Sequence, residues 1–480
     1  MSSTELLSAG LSPAESSSAL ALPVGFRFGA ATASYQIEGA AAEGGRTPSI
    51  WDTFARIPGK VLNGDTGDVA CDHYHRYAED VALLSSLGLD SYRFSVSWSR
   101  VQPGGAGAVN PAGLDFYDRL VDELVGAGIE PALTLYHWDL PQELQDAGGW
   151  TNRATAERFA EYSAIVAAKL GDRVRLWSTL NEPWCSAFLG YAAGVHAPGH
   201  TEPAEAFAAV HHLLLGHGLA TQAVRQAATD PDVGIVLNTF EVRPYLSDGT
   251  DDEVARRIDA VANRVFLEPL KNGRYPRDLL IDVADLTDFS FVKDGDLEII
   301  STPIDFLGVN YYQPTVVSSA TGEAATNAGH GSVLATPYPG SGDVLFPTLP
   351  GEHTSMGWLV DETGLTDLLV KLDELYGWPL MVTENGAAYS TGVGEDGRVR
   401  DAERTAYIEK HLAAVAAAVS RGADVRGYFA WSLLDNYEWA YGYTERFGII
   451  HVDYDTQVRT VKDSARRYSE IVAATRAQWV

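Results

Sequence analysis

Short runs of β-branched and aromatic residues alternate along the chain with longer stretches whose apolar positions recur at helical spacing, the pattern of parallel strands joined by helices. The segment 74–87 places Val81, Leu84 and Leu87 on one helical face, and Gly88 ends it before the strand-like run 91–98. Asn110 stands at the cap position before Pro111, and Leu114, Tyr117, Leu120, Val121 and Leu124 form the next apolar stripe. Gly126 and Gly128 then lead into a strand over 131–137. Six further strands are predicted over 25–31, 174–180, 233–239, 304–309, 379–383 and 425–432, which makes eight. Eight parallel strands with intervening helices close into a (β/α)8 TIM barrel, which leaves no unpaired sheet edge. A doubly wound sheet is the rival arrangement, but no Gly-x-Gly-x-x-Gly or P-loop follows the first strand, where an open nucleotide-binding sheet usually carries one.

The stretch 313–361 is dense in Gly, Ser, Thr and Pro and longer than ordinary loops, so it is placed as an insertion over the barrel mouth. The fold class is therefore α/β, a single TIM barrel with long βα loops over its C-terminal face. One catalytic domain is expected over residues 21–480. Residues 1–20 carry Glu5 and Glu15 but no Lys or Arg, which fits a disordered N-terminal tail better than the basic start of a signal peptide.

A hydrophobic content of 46% over 480 residues can fill a large core. The net charge of −29 repels phosphate backbones and anionic lipid, so neither nucleic acid nor a membrane is an expected partner. The two cysteines, Cys71 and Cys185, cannot build a disulfide framework, and no apolar run reaches the ~18 residues of a membrane span. A cytoplasmic location is expected. The group Cys71, Asp72, His73 and His75 lacks a companion ligand set, and His211, His212 and His217 do not form an i, i+4 pair, so neither a metal nor another cofactor is expected.

In a barrel of this kind the C-terminal strand ends converge on one face, where the site is built. Those ends read Ala-Ser-Tyr-Gln-Ile-Glu-Gly (33–39), Tyr-Arg-Phe-Ser (92–95), Tyr-His-Trp-Asp (136–139), Thr-Leu-Asn-Glu-Pro (179–183), Asn-Tyr-Tyr (310–312), Thr-Glu-Asn-Gly (383–386) and Trp-Ser-Leu-Leu-Asp-Asn-Tyr-Glu-Trp (431–439). Carboxylates, amides and indoles dominate them. In this order the motifs resemble glycoside hydrolase family 1, the β-glucosidase family, over about residues 22–475.

The resemblance implies a retaining, exo-acting β-glucosidase that needs two carboxyl groups, one to protonate the leaving oxygen and one to attack the sugar. It assigns Glu182 as acid/base and Glu384 as nucleophile, with Arg93, Tyr312 and Asn310 in support. It further implies that Gln36, His137, Asn181, Glu438 and Trp439 bond sugar hydroxyls and that Trp431 forms a stacking floor. Trp138 resembles a further pocket residue, Trp358 the aglycone platform, and Trp184 and Leu189 the residues that narrow the entrance. The family's 6-phosphosugar enzymes replace Glu438 and add a lysine and a tyrosine downstream, where this chain has Glu445 and Phe447, so a neutral small-molecule β-glucoside or cello-oligosaccharide is the implied substrate. Taken singly, Arg93 and Tyr312 also read as structural hydrogen-bonders, and Trp431 and Trp439 as core aromatics. A noncatalytic sugar-binding barrel and a transglycosylase are the other functional readings.

Overall fold

The computed structural model of the chain describes residues 19–319 and 336–479. Eight parallel strands form a closed barrel: β1 (Arg27–Ala31), β2 (Ser91–Ser95), β3 (Glu130–Tyr136), β4 (Leu176–Asn181), β5 (Asp232–Asn238), β6 (Phe306–Asn310), β7 (Leu380–Asn385) and β8 (Val425–Trp431). Neighbours in sequence are neighbours in space, and β8 returns to pair with β1 from Arg27 opposite Gly427 to Ala31 opposite Trp431. All eight are the strands that the apolar runs predict, with ends displaced by a few residues. The run 91–98 stops at Ser95, because Trp98–Val101 already turns as a helix, and β7 extends through Glu384 to Asn385.

Strand alternation sorts the side chains into two populations. Phe28, Tyr92, Phe94, Leu133, Leu135, Leu307, Val309, Leu380, Val382 and Tyr428 belong to the large core shared with the helices. Their neighbours Ala31, Ala132, Leu176, Phe306, Met381, Phe429 and Trp431 form a second, smaller cluster inside the barrel. Arg93 and Ser95 occupy the intervening positions of β2, so the same period that sends Tyr92 and Phe94 outward sends a guanidinium inward. The helix His73–Ser86 buries Val81 and Leu84, and Pro111–Gly126 buries Phe116, Tyr117, Leu120, Val121 and Leu124.

One capping expectation changes. Asn110 precedes the helix as predicted, but its side chain does not cap it: Nδ2 donates to the carbonyls of Gly44 and Arg100, tying two loops together instead. Residues 1–18 of the predicted tail lie outside the described residues, while Leu20 is already docked, its N–H donating to Thr475 in the last helix. The insertion 313–361 carries structure in its described parts. Thr315–Val317 pairs in parallel with Val242–Pro244, and Ser318 bridges Leu345; residues 320–335 lie outside the description. Among the described residues no helix is long and apolar enough to cross a membrane.

The turn after β7 depends on one glycine. A Cβ on Gly386 would meet the Trp431 carbonyl oxygen at 1.8 Å, closer than any side chain can be accommodated. Gly386→Ala is expected to push β7 from β8 and lower stability by roughly 2 kcal/mol or more, the size typical of overpacked cores. Thermal unfolding followed by circular dichroism would check this, and an unchanged melting temperature would contradict it.

Candidate active site

Glu182 and Glu384 reach the same cavity by departures from regular geometry. Strict alternation along β7 would turn Glu384 away from Thr383, but the ladder slips between Val309–Val382 and Asn310–Glu384, and both side chains face inward. The β4–β5 ladder slips likewise between Ser178 and Asn181. Glu182 then adopts φ +46°, a left-handed conformation that costs a non-glycine residue about 1–2 kcal/mol. Trp138 at +76° and Trp439 at +48° are strained in the same way, so three cavity residues share a conformation that only surrounding packing can hold.

The cavity, about 150 Å³, is lined by Glu182, Glu384 and Glu438 together with His137, Asn310, Tyr312 and Trp138, Trp184, Trp358, Trp431 and Trp439. Its outer wall comes from the long loops, notably Phe240, Tyr338 and Phe346. Trp184 packs 5.0 Å from Phe240 and 5.4 Å from Tyr338 between ring centres. Gln36 and Asn181 stand behind the lining. Gln36 Nε2 donates to Tyr437 O and Glu438, and Asn181 is held by Arg93, Asn310 and His137. Leu189 corrects the sequence reading: it is fully buried in the helical turn Cys185–Ala192 and does not line the cavity. The π-type winding of that segment turns its apolar side chains into the core.

Each carboxyl group is held differently. Glu384 receives Arg93 Nη1 at 2.7 Å on Oε1 and the Tyr312 hydroxyl at 2.7 Å on Oε2. Glu182 receives Asn310 Nδ2 at 2.7 Å on Oε1. Thr383 sets the orientation of that amide by donating its hydroxyl to Asn310 Oδ1, which leaves the NH2 group for Glu182 and Asn181. Thr383 was legible only as part of its motif, and nothing in the sequence marked its function.

Burial pushes the pKa of both glutamates up, and for Glu182 the nearby charge of Glu384 pushes in the same direction. For Glu384 the Arg93 charge and hydrogen bond, followed by Tyr312, oppose the rise. Arg93 and Tyr312 thus favour the ionised form of Glu384, while burial and the charge of Glu384 favour the protonated form of Glu182. Glu438 is pushed up to about 8 by burial and by Glu384, Glu445 and Glu182. His137 is kept neutral by burial and by Arg93; it accepts from Asn181 on Nε2, which leaves Nδ1 as an unpaired donor beside the cavity. With the unpaired Gln36 Oε1 and Thr239 Oγ1, this is a set of buried polar atoms that hydroxyl groups of a ligand can satisfy.

Trp431 lines the cavity and also stacks near His137, at 5.9 Å and 17°, while Trp439 sits within a cluster with Trp51, Tyr35 and Trp138. Each indole thus has one face in the packing and part of its surface at the cavity. The cysteine and histidine groups point elsewhere. Cys71 donates to the Asp435 carbonyl, His73 pairs with Asp80, and His75 with Asp72. His211 bonds Tyr275 and Asp296, His212 the Trp150 carbonyl, and His217 Thr179, so this helix uses its imidazoles to fasten neighbouring elements.

The family model for glycosyl hydrolase family 1 matches residues 18–477. The chain is 50% identical to a bifunctional β-D-glucosidase/β-D-fucosidase of Bifidobacterium breve, over 94% of this chain and 98% of that one. Among solved structures, a psychrophilic β-glucosidase from Micrococcus antarcticus superposes with a TM-score of 0.93 at 53% identity, covering 96% and 99% of the two chains. A Thermotoga maritima β-glucosidase in complex with deoxynojirimycin gives 0.87 at 43% identity, covering 95% and 99%.

Glu438 should make stability depend on pH. A carboxyl whose folded-state pKa is raised contributes stability below its unfolded value, and that contribution is lost as pH rises through the folded value, here about 8. Glu438→Gln removes the ionisation, so its melting temperature should gain on the parent between pH 6 and 9. A constant difference across that range would contradict the assignment.

Proposed function

Because the chain belongs to glycosyl hydrolase family 1 and is a retaining β-glucosidase, we propose that Glu182 is its general acid/base and Glu384 its nucleophile. The observation that carries these roles is the asymmetry of the two carboxyl groups: Arg93 and Tyr312 hold Glu384 as an anion, and burial beside that anion keeps the proton on Glu182. Glu384 attacks the anomeric carbon while Glu182 gives its proton to the departing glycosidic oxygen. Esterification removes the charge of Glu384, so Glu182 loses the repulsion that held its proton and takes one from the incoming water. Water then releases the sugar with its configuration retained.

The substrate is a terminal, nonreducing β-D-glucosyl residue. Glu438, Gln36, His137 and Trp439 bond its hydroxyl groups, Asn181 serves the 2-hydroxyl, and Trp431 supports the ring. The charge of Glu445, close enough to Glu438 to raise its pKa, disfavours a 6-phosphate. Trp358 and Trp184 border the aglycone, which is a further glucose unit of a cello-oligosaccharide or an aryl or alkyl group. An alcohol that intercepts the glycosyl-enzyme in place of water gives transglycosylation.

Chromogenic aryl β-glucosides test the roles. Glu384→Ala should lower kcat/KM by at least about 10⁴-fold. Glu182→Ala should slow poor leaving groups by about 10²–10⁴-fold, slow activated ones less at the bond-breaking step, and regain turnover with azide as β-glucosyl azide. The parent's kcat/KM should fall at low pH as Glu384 takes a proton and at high pH as Glu182 loses one. Full activity of Glu384→Ala, or absence of azide rescue in Glu182→Ala, would overturn the assignment.

A further inference from the structure

The acid/base carboxyl has a second contact that none of the roles above uses. Cys185 Sγ lies 3.2 Å from Glu182 Oε2 and donates to it, and the Asn238 side-chain NH2 donates in turn to the sulfur at 3.6 Å. Asn238 ends β5 and is the register partner of Asn310 at the end of β6, which donates to the other oxygen, Oε1. Two adjacent strand ends thus grip the two oxygens of one carboxyl group, one directly and one through a thiol. Cys185 and Asn238 both line the cavity. Cys185 also follows Glu182 by three residues, and its N–H donates to the Glu182 carbonyl at 3.0 Å, so backbone and side chain both bind it to the strained turn.

From this geometry we infer that Cys185 is a positioning residue that holds Oε2 of Glu182 by a thiol hydrogen bond, with Asn238 orienting the S–H. This rests on Glu182 being the acid/base. Glu182 must carry a proton in the first half-reaction and be anionic in the second. A donor fixed on it favours the anion, and a strong donor would strip the proton too early. A thiol is a weak donor. It limits rotation of the carboxyl while leaving Glu182 able to stay protonated, and burial keeps the thiol itself in its S–H form. Among the described residues, the charged and titratable groups that act on Glu182 or Cys185 from other elements include Arg93, Glu384, Glu438, Tyr312 and Tyr338, and substitution at Cys185 removes none of them.

The role predicts opposite effects from two substitutions of similar size. Cys185→Ser supplies a stronger donor and should move the alkaline limb of kcat/KM down by about half a pH unit or more; Cys185→Val supplies none and should move it up by a similar amount. Asn238→Ala should follow the valine variant with a smaller shift. The valine variant should also lose more rate on activated aryl glucosides, where release of the glycosyl-enzyme limits turnover, than on poor leaving groups. Shifts of the same sign in the serine and valine variants, or no shift in either, would overturn the inference. If valine prevents folding, judged by circular dichroism, the serine variant against the parent decides alone. Failure of azide to rescue Glu182→Ala would instead refute the acid/base role itself.

Discussion

The ion pair between Arg93 and Glu384 is the constraint around which the site is arranged. Both partners are almost completely buried, so solvent screens them only weakly. Breaking such a pair costs about 3–5 kcal/mol, whereas the many exposed pairs on the outer helices contribute roughly 0–1 kcal/mol each. Arg93 sets a positive charge beneath the strand ends. Burial pushes Glu182 and Glu438 up first, and the anion that Arg93 favours on Glu384 pushes both further in the same direction.

Holding this arrangement needs a rigid frame, because each site residue is in some way unfavourable. Glu182, Trp138 and Trp439 have left-handed backbones, and the β4, β6 and β7 ladders slip where Asn181, Asn310 and Glu384 emerge. A closed barrel supplies the frame, since every strand end is fixed by two neighbours. The interlocked amides complete it: Thr383 orients Asn310, which bridges Glu182 and Asn181, and Asn181 in turn accepts from Arg93. One shift in this chain would be felt at both carboxyl groups.

The cavity joins two environments. Its base carries acids and unpaired polar atoms, while its outer wall is built by the loops after β4, β5 and β6 from Trp184, Phe240, Tyr338 and Phe346. Glu182 lies two residues from Trp184, so this carboxyl stands where the polar base gives way to the aromatic wall. With the roles proposed above, a glycosidic oxygen, with sugar on one side and aglycone on the other, belongs at that boundary.

The amino-acid order by itself determined the eight strands and the helices between them, because short β-branched and aromatic runs and helical apolar stripes are local properties that the fold obeys. It also determined which residues stand at the strand ends, and with them nearly all of the cavity's acids, amides and indoles. Tertiary structure decided what alternation could not: the register slip that turns Glu384 inward beside Thr383, the redirection of Asn110 from capping to loop bracing, and the burial of Leu189 by π-type winding. Cys185 and Asn238, far apart in sequence and in no shared motif, came together only because β4 and β5 are neighbours. Contacts of that kind depend on distances between chain segments, and sequence periodicity carries no information about them.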